Sequence, residues 1–591
     1  MKSPPISMAR RHNIEMRILT CLLLLVTACT TATAQNTETA QRKNFKSPMT
    51  VDATVPELCA QYAEDKSALE RLLPFAMSDL RLEQMGRLHS DWISRLEAVN
   101  FSQLPRRQQI DWLALYNKAK HDFINIETTR QREHEVAEFL PFTPPLVELL
   151  EARANRKQVD AAKVADIFHQ ASLGLDDAKE KLSETTTSGS VARRAKKKLK
   201  SISSALENFY RFRDGYDPAF GWWCQKPWEQ LKENMNDYGP WLERELGDLD
   251  PDDKDALIGD PIGREALLNE LAFERIPYAP GELIQIAEKE LAWCNQRRVS
   301  AAERMGLGDD WKAAQAAAKD LHVEPGDQPE MILQLAEEAV AFLETNDLVS
   351  IPDMVKKSWR MEMMSPARQM ISPYFTGGEV ISIAFPTDGM SHEAKLQSMR
   401  GNNQPYSHAT VHHELIPGHH LQGFMAKRWN PHRRMFYTPF LVEGWALYWE
   451  LQLWDWGFAK TPEEEIGMLF WRSHRCARII FSLNFHLGNW SPQECVDFLV
   501  ETVGHELRNA EAEVRRSIQG GYGPLYQCAY MLGGMQLRSL YKELVEQGGW
   551  NKRDFHDAVL HQGPIPVDLI RAALGNQELS ANFPADWRFN D

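Results

Sequence analysis

His412-His413-Glu414-Leu415-Ile416-Pro417-Gly418-His419-His420 is the stretch on which the reading of this chain turns. Residues 392–420 hold six of the eighteen histidines (His392, His408, His412, His413, His419 and His420), where an even spread over 591 residues would put about one. A metal-binding helix of the H-E-x-x-H kind sets two imidazoles one turn apart on one face, with a glutamate beside them that can take a proton from water. Here the position four after His413 is Pro417. On a straight helix His413 and His419 point roughly 120° apart, and His413 and His420 share a face but stand about 10 Å apart along the axis. Zinc needs each nitrogen at about 2.1 Å, so a regular helix serves neither pair. Pro417-Gly418 is where the sequence breaks the helix, by ring clash and by a loose backbone. A bulge of two extra residues there swings His419 back beside His413 and gives H-E-x-x-x-x-H. A second pairing stays open: His408 and His412 share a face at i, i+4 without any kink, but no glutamate adjoins His408.

A third ligand is expected on a following helix. Glu443-Gly444-Trp445-Ala446-Leu447-Tyr448-Trp449-Glu450 begins 24 residues after His419. Gly444 lets that helix come close to a neighbour. Glu450, two turns along the same face, either orients a ligand histidine from behind or lies on the surface. Trp445, Tyr448 and Trp449 read as core.

Outward from this window the chain reads as mainly α. Apolar residues recur at helical spacing in Leu80 to Leu96, Val159 to Leu182, Gly281 to Cys294 and Pro329 to Glu344. Arg193 to Lys200 is the solvated face of a helix, and the acidic, Pro- and Gly-containing stretch from Gly247 to Gly263 is an internal connection. Thr438-Pro439 and Ser491-Pro492-Gln493-Glu494 are helix starts, each a capping residue before proline. Between Leu348 and Asp388 the texture changes. Trp359 to Met363 and Val380 to Phe385 are short, partly alternating and bounded by Pro and Gly, so they predict a small β-sheet just ahead of the histidine helix. An exposed strand in that place can pair with an extended peptide. Residues 49–591 are expected to form one large, mainly helical domain, with an N-terminal helical part over about 49–245 and a metal-site part over about 345–591.

The first 35 residues read as an export signal. Arg10, Arg11 and Arg17 precede the apolar run Ile18 to Ala28, which is too short to span a bilayer as a mature helix. Ala32-Thr33-Ala34 offers a cleavage site, and Val26-Thr27-Ala28-Cys29 offers a lipoprotein site with Cys29 acylated. Both readings place the protein outside the cytoplasm, in the periplasm or anchored to the outer membrane by lipid. Residues 36–48 are a polar linker. The full chain carries −15, and without residues 1–35 it carries −18, with 63 basic and 81 acidic residues. That balance argues against a general nucleic-acid binder. Hydrophobic residues at 43% and charged residues at 25% exclude wholesale disorder, and a multi-span membrane protein is excluded because only residues 18–28 form a strongly apolar run. Beyond the signal there are six cysteines, none in a C-x-x-C pair. Buried free thiols are the simpler reading, with one bridge among Cys476, Cys495 and Cys528 left open.

The segments His413 to Gln422 and Glu443 to Glu450 resemble the hallmark H-E-x-x-P-G-H-H-x-Q and E-G-W-A-L-Y-x-E segments of the bacterial "domain of unknown function 885" family. The likeness continues through Arg478, His486, the Trp490-Ser491-Pro492 start and Tyr526 to Gly533. One departure is Ser482, where the family pattern has an aspartate. That family is similar to gluzincin-type zinc peptidases, including helical carboxypeptidases and angiotensin-converting-enzyme-like folds, and dipeptidyl peptidase III shares the lengthened zinc helix. The resemblance implies a metallopeptidase-like helical fold and zinc held by His413, His419 and Glu443. It implies that Glu414 acts as general base and that short peptides are the substrate. The oxygen that gains charge needs a donor. Tyr530 and His486 are favoured from a set that includes Tyr522, Tyr526, Arg478 and Arg516. The other functional readings are a zinc-binding or zinc-buffering lipoprotein without turnover, and a helical scaffold with an empty site.

Overall fold

The computed structural model describes residues 53–590 apart from 77, 155–156, 254–255, 370–373 and 520. The expected export signal, Cys29 and the 36–48 linker lie outside the described residues. Residues 50–591 form one compact unit.

Capping chemistry sets the helix starts. Asp160 caps Ala161–Lys181 by accepting from Ala162 and Lys163 N–H. Ser491 caps Pro492–Val503 while Glu494 reaches back to the Ser491 N–H at 2.7 Å. The other predicted periodic segments form Asp79–Glu97, Pro280–Arg304 and Gln328–Thr345. Arg193 to Lys200 lies within Gly189–Asp214, where Arg193 and Lys196 pair with Glu243, and Arg194 with Glu135. No helix among the described residues is long and apolar enough to cross a membrane.

The core has two main parts, and they do not follow the expected division at about 245. Side chains from 55–119 pack with those from 267–589 in one cluster, which includes everything around the histidine window. Residues 136–246, with Phe75, form a second cluster around Phe168, Phe209, Phe220 and Tyr238. The 32-residue helix Arg106–Ala137 joins them, contributing Ile110 to Ala119 to the first and Val136 to the second. A helix of that length spans about 48 Å, enough to reach from one core to the other. All six cysteines beyond the signal are buried free thiols.

The predicted sheet is present and small. Strands β1 (Arg360–Met363) and β2 (Val380–Ile383) pair in parallel, Arg360 opposite Val380, and Thr376 bridges back to Ser382 in antiparallel sense. The helices that carry the histidine window and its surroundings follow: α1 (Gln404–Glu414), α2 (His419–Ala426), α3 (Pro439–Asp455), α4 (Pro462–His486), α5 (Leu507–Ile518) and α6 (Tyr526–Tyr541). Thr438 caps α3 by accepting from Phe440 N–H, with Pro439 at the first helical position. Every residue of α3 from Glu443 to Leu453 is buried, so it is the central rod of the fold. It packs on α6 at glycine: a Cβ on Gly444 would lie 2.6 Å from the Gly533 backbone, and one on Gly533 would lie 2.0 Å from the Phe440 carbonyl oxygen.

Candidate metal centre

Burying α3 carries the carboxylates of Glu443 and Glu450 into the core, where an unpaired charge is costly. Their partners come from the break between α1 and α2. Rather than a bulged single helix, the chain ends α1 at Glu414, turns through Leu415–Gly418 with a cis Ile416-Pro417 bond, and starts α2 at His419. Three hydrogen bonds hold the turn: Gly418 N–H to the His412 carbonyl at 2.9 Å, His420 N–H to the Leu415 carbonyl at 3.0 Å, and Trp445 Nε1–H to the Pro417 carbonyl at 2.8 Å. Only glycine fits at 418, because a Cβ there would lie 1.8 Å from the His413 carbonyl oxygen.

The turn sets the rings of His413 and His419 edge to face, centroids 4.8 Å apart. Glu443 Oε2 lies 3.6 Å from His413 Nε2 and 3.2 Å from His419 Nε2. The same Oε2 is buried and finds no aligned hydrogen-bond donor, while Tyr526 donates its hydroxyl to Oε1. On the other side of His413, Nδ1 meets Glu450 Oε1 at 2.6 Å, which turns Nε2 toward Glu443. Potential ligand atoms of His413, Glu414 and His419 all lie within 4.8 Å of one another. Glu414 Oε2 accepts the Gly377 N–H at 2.6 Å, and the Glu414 carbonyl accepts the Gly378 N–H at 3.0 Å, so the segment ahead of β2 fixes the Glu414 carboxylate.

Two ligands about 2.0–2.1 Å from a tetrahedral ion stand about 3.4 Å apart. The separations of 3.2 and 3.6 Å bracket that value, and the unpartnered Glu443 oxygen faces both nitrogens. The residues therefore fit a zinc ion. Burial alone would push the His413 imidazolium down, but the carboxylates of Glu443 and Glu450 on either side of it outweigh that and lift His413 to about 9. Burial works to raise the Glu443 carboxyl, and the neighbouring His419 and His413 hold it well below the ordinary carboxylate range.

The other histidines of the window are spoken for or isolated. His420 Nε2 meets the Val355 carbonyl at 2.9 Å and Ser358 Oγ at 3.3 Å, away from Glu443. His408 stacks on Phe458 at 4.3 Å and His412 meets the same ring edge-on. The carboxylate closest to His408 is Glu338 at 3.9 Å, so the alternative pair gathers no third donor.

Tyr530 stands in the site, with its ring centroid 6.2 Å from that of His413. His486 does not. It lies on the same face of α4 as Arg475 but eleven residues further on, about 16 Å along the axis. There it packs against Phe485, and burial, with Arg132 adding to it, lowers its imidazolium to about 4. Ser482 is likewise buried away from the site, its Oγ 3.5 Å from Cys528 Sγ.

Two cavities meet at His419 and Glu443. One, of about 470 Å³, is walled mostly by apolar side chains including Leu441, Trp445 and Leu560. The other, of about 300 Å³, is polar and reaches Glu414, His413 and Tyr530, with Arg475, Arg478 and Arg516 in its wall. Arg475 and the Gly377 N–H escaped the sequence reading. Arg475 stands one turn before Arg478, a spacing that could have flagged it. The role of Gly377 depends on a long-range contact that leaves no local mark.

The profile of a family described as "Bacterial protein of unknown function (DUF885)" matches residues 65–574. Two solved structures share the fold. One is a presumed lipoprotein of unknown function from Shewanella oneidensis, 15% identical with a TM-score of 0.66, the match covering 88% of this chain and 99% of that one. The other is a presumed lipoprotein from Colwellia psychrerythraea, 15% identical with a TM-score of 0.52, covering 88% and 97%. At such identity the likeness speaks for the fold. No curated protein matches the sequence.

Proposed function

The chain belongs to this DUF885 family, and from that premise and the geometry of its centre we propose that it is an exported zinc-dependent metallopeptidase that hydrolyses peptide bonds of short peptides. The observation that carries the reading is the buried Glu443 Oε2, unpartnered and 3.2–3.6 Å from two imidazole nitrogens, one of them oriented from behind by Glu450. His413 Nε2, His419 Nε2 and Glu443 Oε2 hold the ion. Glu414 is left as the base, because its carboxylate is already held by Gly377 N–H while Glu443 Oε2 has no donor. Zinc, when bound, acidifies a water and polarises the carbonyl.

Glu414 takes a proton from the attacking water as its oxygen bonds the carbonyl carbon, and delivers a proton to the departing amine as the C–N bond breaks. The products are a carboxylic acid and an amine, with one water consumed. Gly377 keeps the carboxylate aimed through the step, and Glu450 keeps His413 in one tautomer. Tyr530 and Arg478 are the donors near the oxygen that gains charge, with the Arg478 guanidinium carbon 4.6 Å from the Tyr530 ring centroid. Cavities of about 470 and 300 Å³ suit a few residues of substrate. Export rests on the N-terminal apolar run and the Cys29 site, and the presumed lipoproteins of the same fold support it.

The test is Glu414→Gln. The parent cleaves members of a short-peptide library, and the variant binds zinc equally but loses about 10³-fold or more of the turnover. A zinc-loaded parent that cleaves nothing would point instead to zinc storage.

A further inference from the structure

We propose that the polar cavity beside Glu414 receives the free carboxylate at the end of the substrate, so that the enzyme trims peptides from the carboxyl terminus; this rests on the zinc-peptidase reading above. The two cavities give the substrate a direction. The apolar one takes side chains on the acyl side of the cleaved bond, and the polar one holds three guanidinium groups, Arg475, Arg478 and Arg516.

The carboxylates that face these cations directly are Glu513 and Glu450, with Glu443 adding to the field at Arg475 and Arg478. Glu513 grips Arg478 at both oxygens, 2.6 Å to Nε and 3.1 Å to one terminal nitrogen. Glu450 stands 3.6 Å from Arg475 but is already engaged with His413. The protein leaves part of the arginines' hydrogen-bonding capacity unused: Nε of Arg475 and Nε of Arg516 are both buried without a partner, and Arg475 is only 5% exposed. Arg516 has Glu513 at 3.9 Å and no hydrogen bond among the described residues. Buried donors left unpaired are costly until an acceptor arrives, and the flat guanidinium fork matches a carboxylate.

The spacing suits a chain end. The Tyr530 ring centroid lies 6.2 Å from the His413 ring and 4.6 and 5.1 Å from the guanidinium carbons of Arg478 and Arg475. The reach from the metal ligands to the arginines is therefore one or two residues of peptide, at about 3.5 Å each. The same carboxylate chemistry could come from an acidic side chain, so the test separates the two sources.

Three N-acetylated tetrapeptides serve as probes: one with a free terminal carboxylate, its carboxyl-terminal amide, and an amide with an internal aspartate. Binding to zinc-loaded Glu414→Gln is read by calorimetry, and cleavage by the parent is read by mass spectrometry. The free acid is expected to bind and react roughly 30-fold or more better than either amide, losing only its last one or two residues. In Arg516→Gln that ratio falls below about 5. Equal handling of acid and amide, with cleavage still dependent on Glu414, overturns this inference and leaves the peptidase standing. Preference for the internal aspartate overturns terminal trimming in favour of an acidic side chain. Arg516→Gln slowing all three substrates equally would make Arg516 a transition-state donor and also overturn it. If the zinc-loaded parent binds and cleaves none of the probes or library peptides, both readings fail together.

Discussion

At the scale of single residues, the site depends on which atoms face which. Glu450 fixes His413 through Nδ1, so Glu450→Ala should weaken zinc binding by about 10–100-fold while leaving all three ligands in place; competition against a fluorescent chelator measures this. His413 is held at about 9 by Glu443 and Glu450 against the effect of burial, so the metal-free protein carries a proton there at neutral pH. A zinc ion held at Nε2 would have to displace it. Below about pH 9 the affinity should fall about tenfold per pH unit, with about one proton released per ion bound, as calorimetry in two buffers of different ionisation enthalpy would show. Binding without proton release would contradict the assignment of His413. His413, Glu414, His419 and Glu443 could be singled out in the sequence as neighbours because histidine is rare enough for a cluster to stand out and because Pro417-Gly418 marks its own break, and the structure brings them together. His486 is favoured from the set that the family resemblance suggests, and nothing in the sequence signals that it lies about 16 Å along α4 from Arg475.

At the scale of elements, the centre exists because α3 lies against α6 close enough for Glu443 and Tyr526 to meet. That contact runs through Gly444 and Gly533, and the backbone of the opposing helix lies well inside the reach of any Cβ. Gly444→Ala should cost on the order of 1–3 kcal/mol and spread the helices, lowering both thermal stability and zinc content; calorimetric unfolding and metal analysis report the two effects. Helices such as Asp79–Glu97 and Ala161–Lys181 were legible from periodicity and caps. The small sheet was legible from the change of texture after Leu348. What Thr376 and Gly377 do was not, since the bond from Gly377 N–H to Glu414 joins residues 37 apart in sequence.

At the scale of the molecule, several imidazoles outside the candidate ligand set are buried in neutral form. Burial lowers His89 and His486 to about 4, and His505 and His556 to about 3, from an ordinary 6.5. Between pH 6.5 and those values the unfolded chain binds protons that the folded one refuses. Stability is thus complete above about pH 6.5 and is lost as the pH falls, by roughly 1.4 kcal/mol per pH unit for each such group. The unfolding temperature should drop by roughly 5–10 °C between pH 7.5 and 5, and no drop would contradict the burial of these rings. The division of the core was only partly legible. Helical pattern dominates 55–245, but Ile110 to Ala119 and Val136 belong to different clusters on one long helix, and nothing in local periodicity tells which neighbours a face will meet.

The claim that joins these scales is that His413, His419 and Glu443 hold one zinc ion. Metal content of the purified protein, measured alongside His413→Ala, His419→Ala, Glu443→Ala and Glu414→Gln, tests it most directly. The account predicts one zinc per chain in the parent and in Glu414→Gln, and none in the other three. A parent without zinc after reconstitution, or zinc retained in His419→Ala and lost in His408→Ala or His420→Ala, would contradict it.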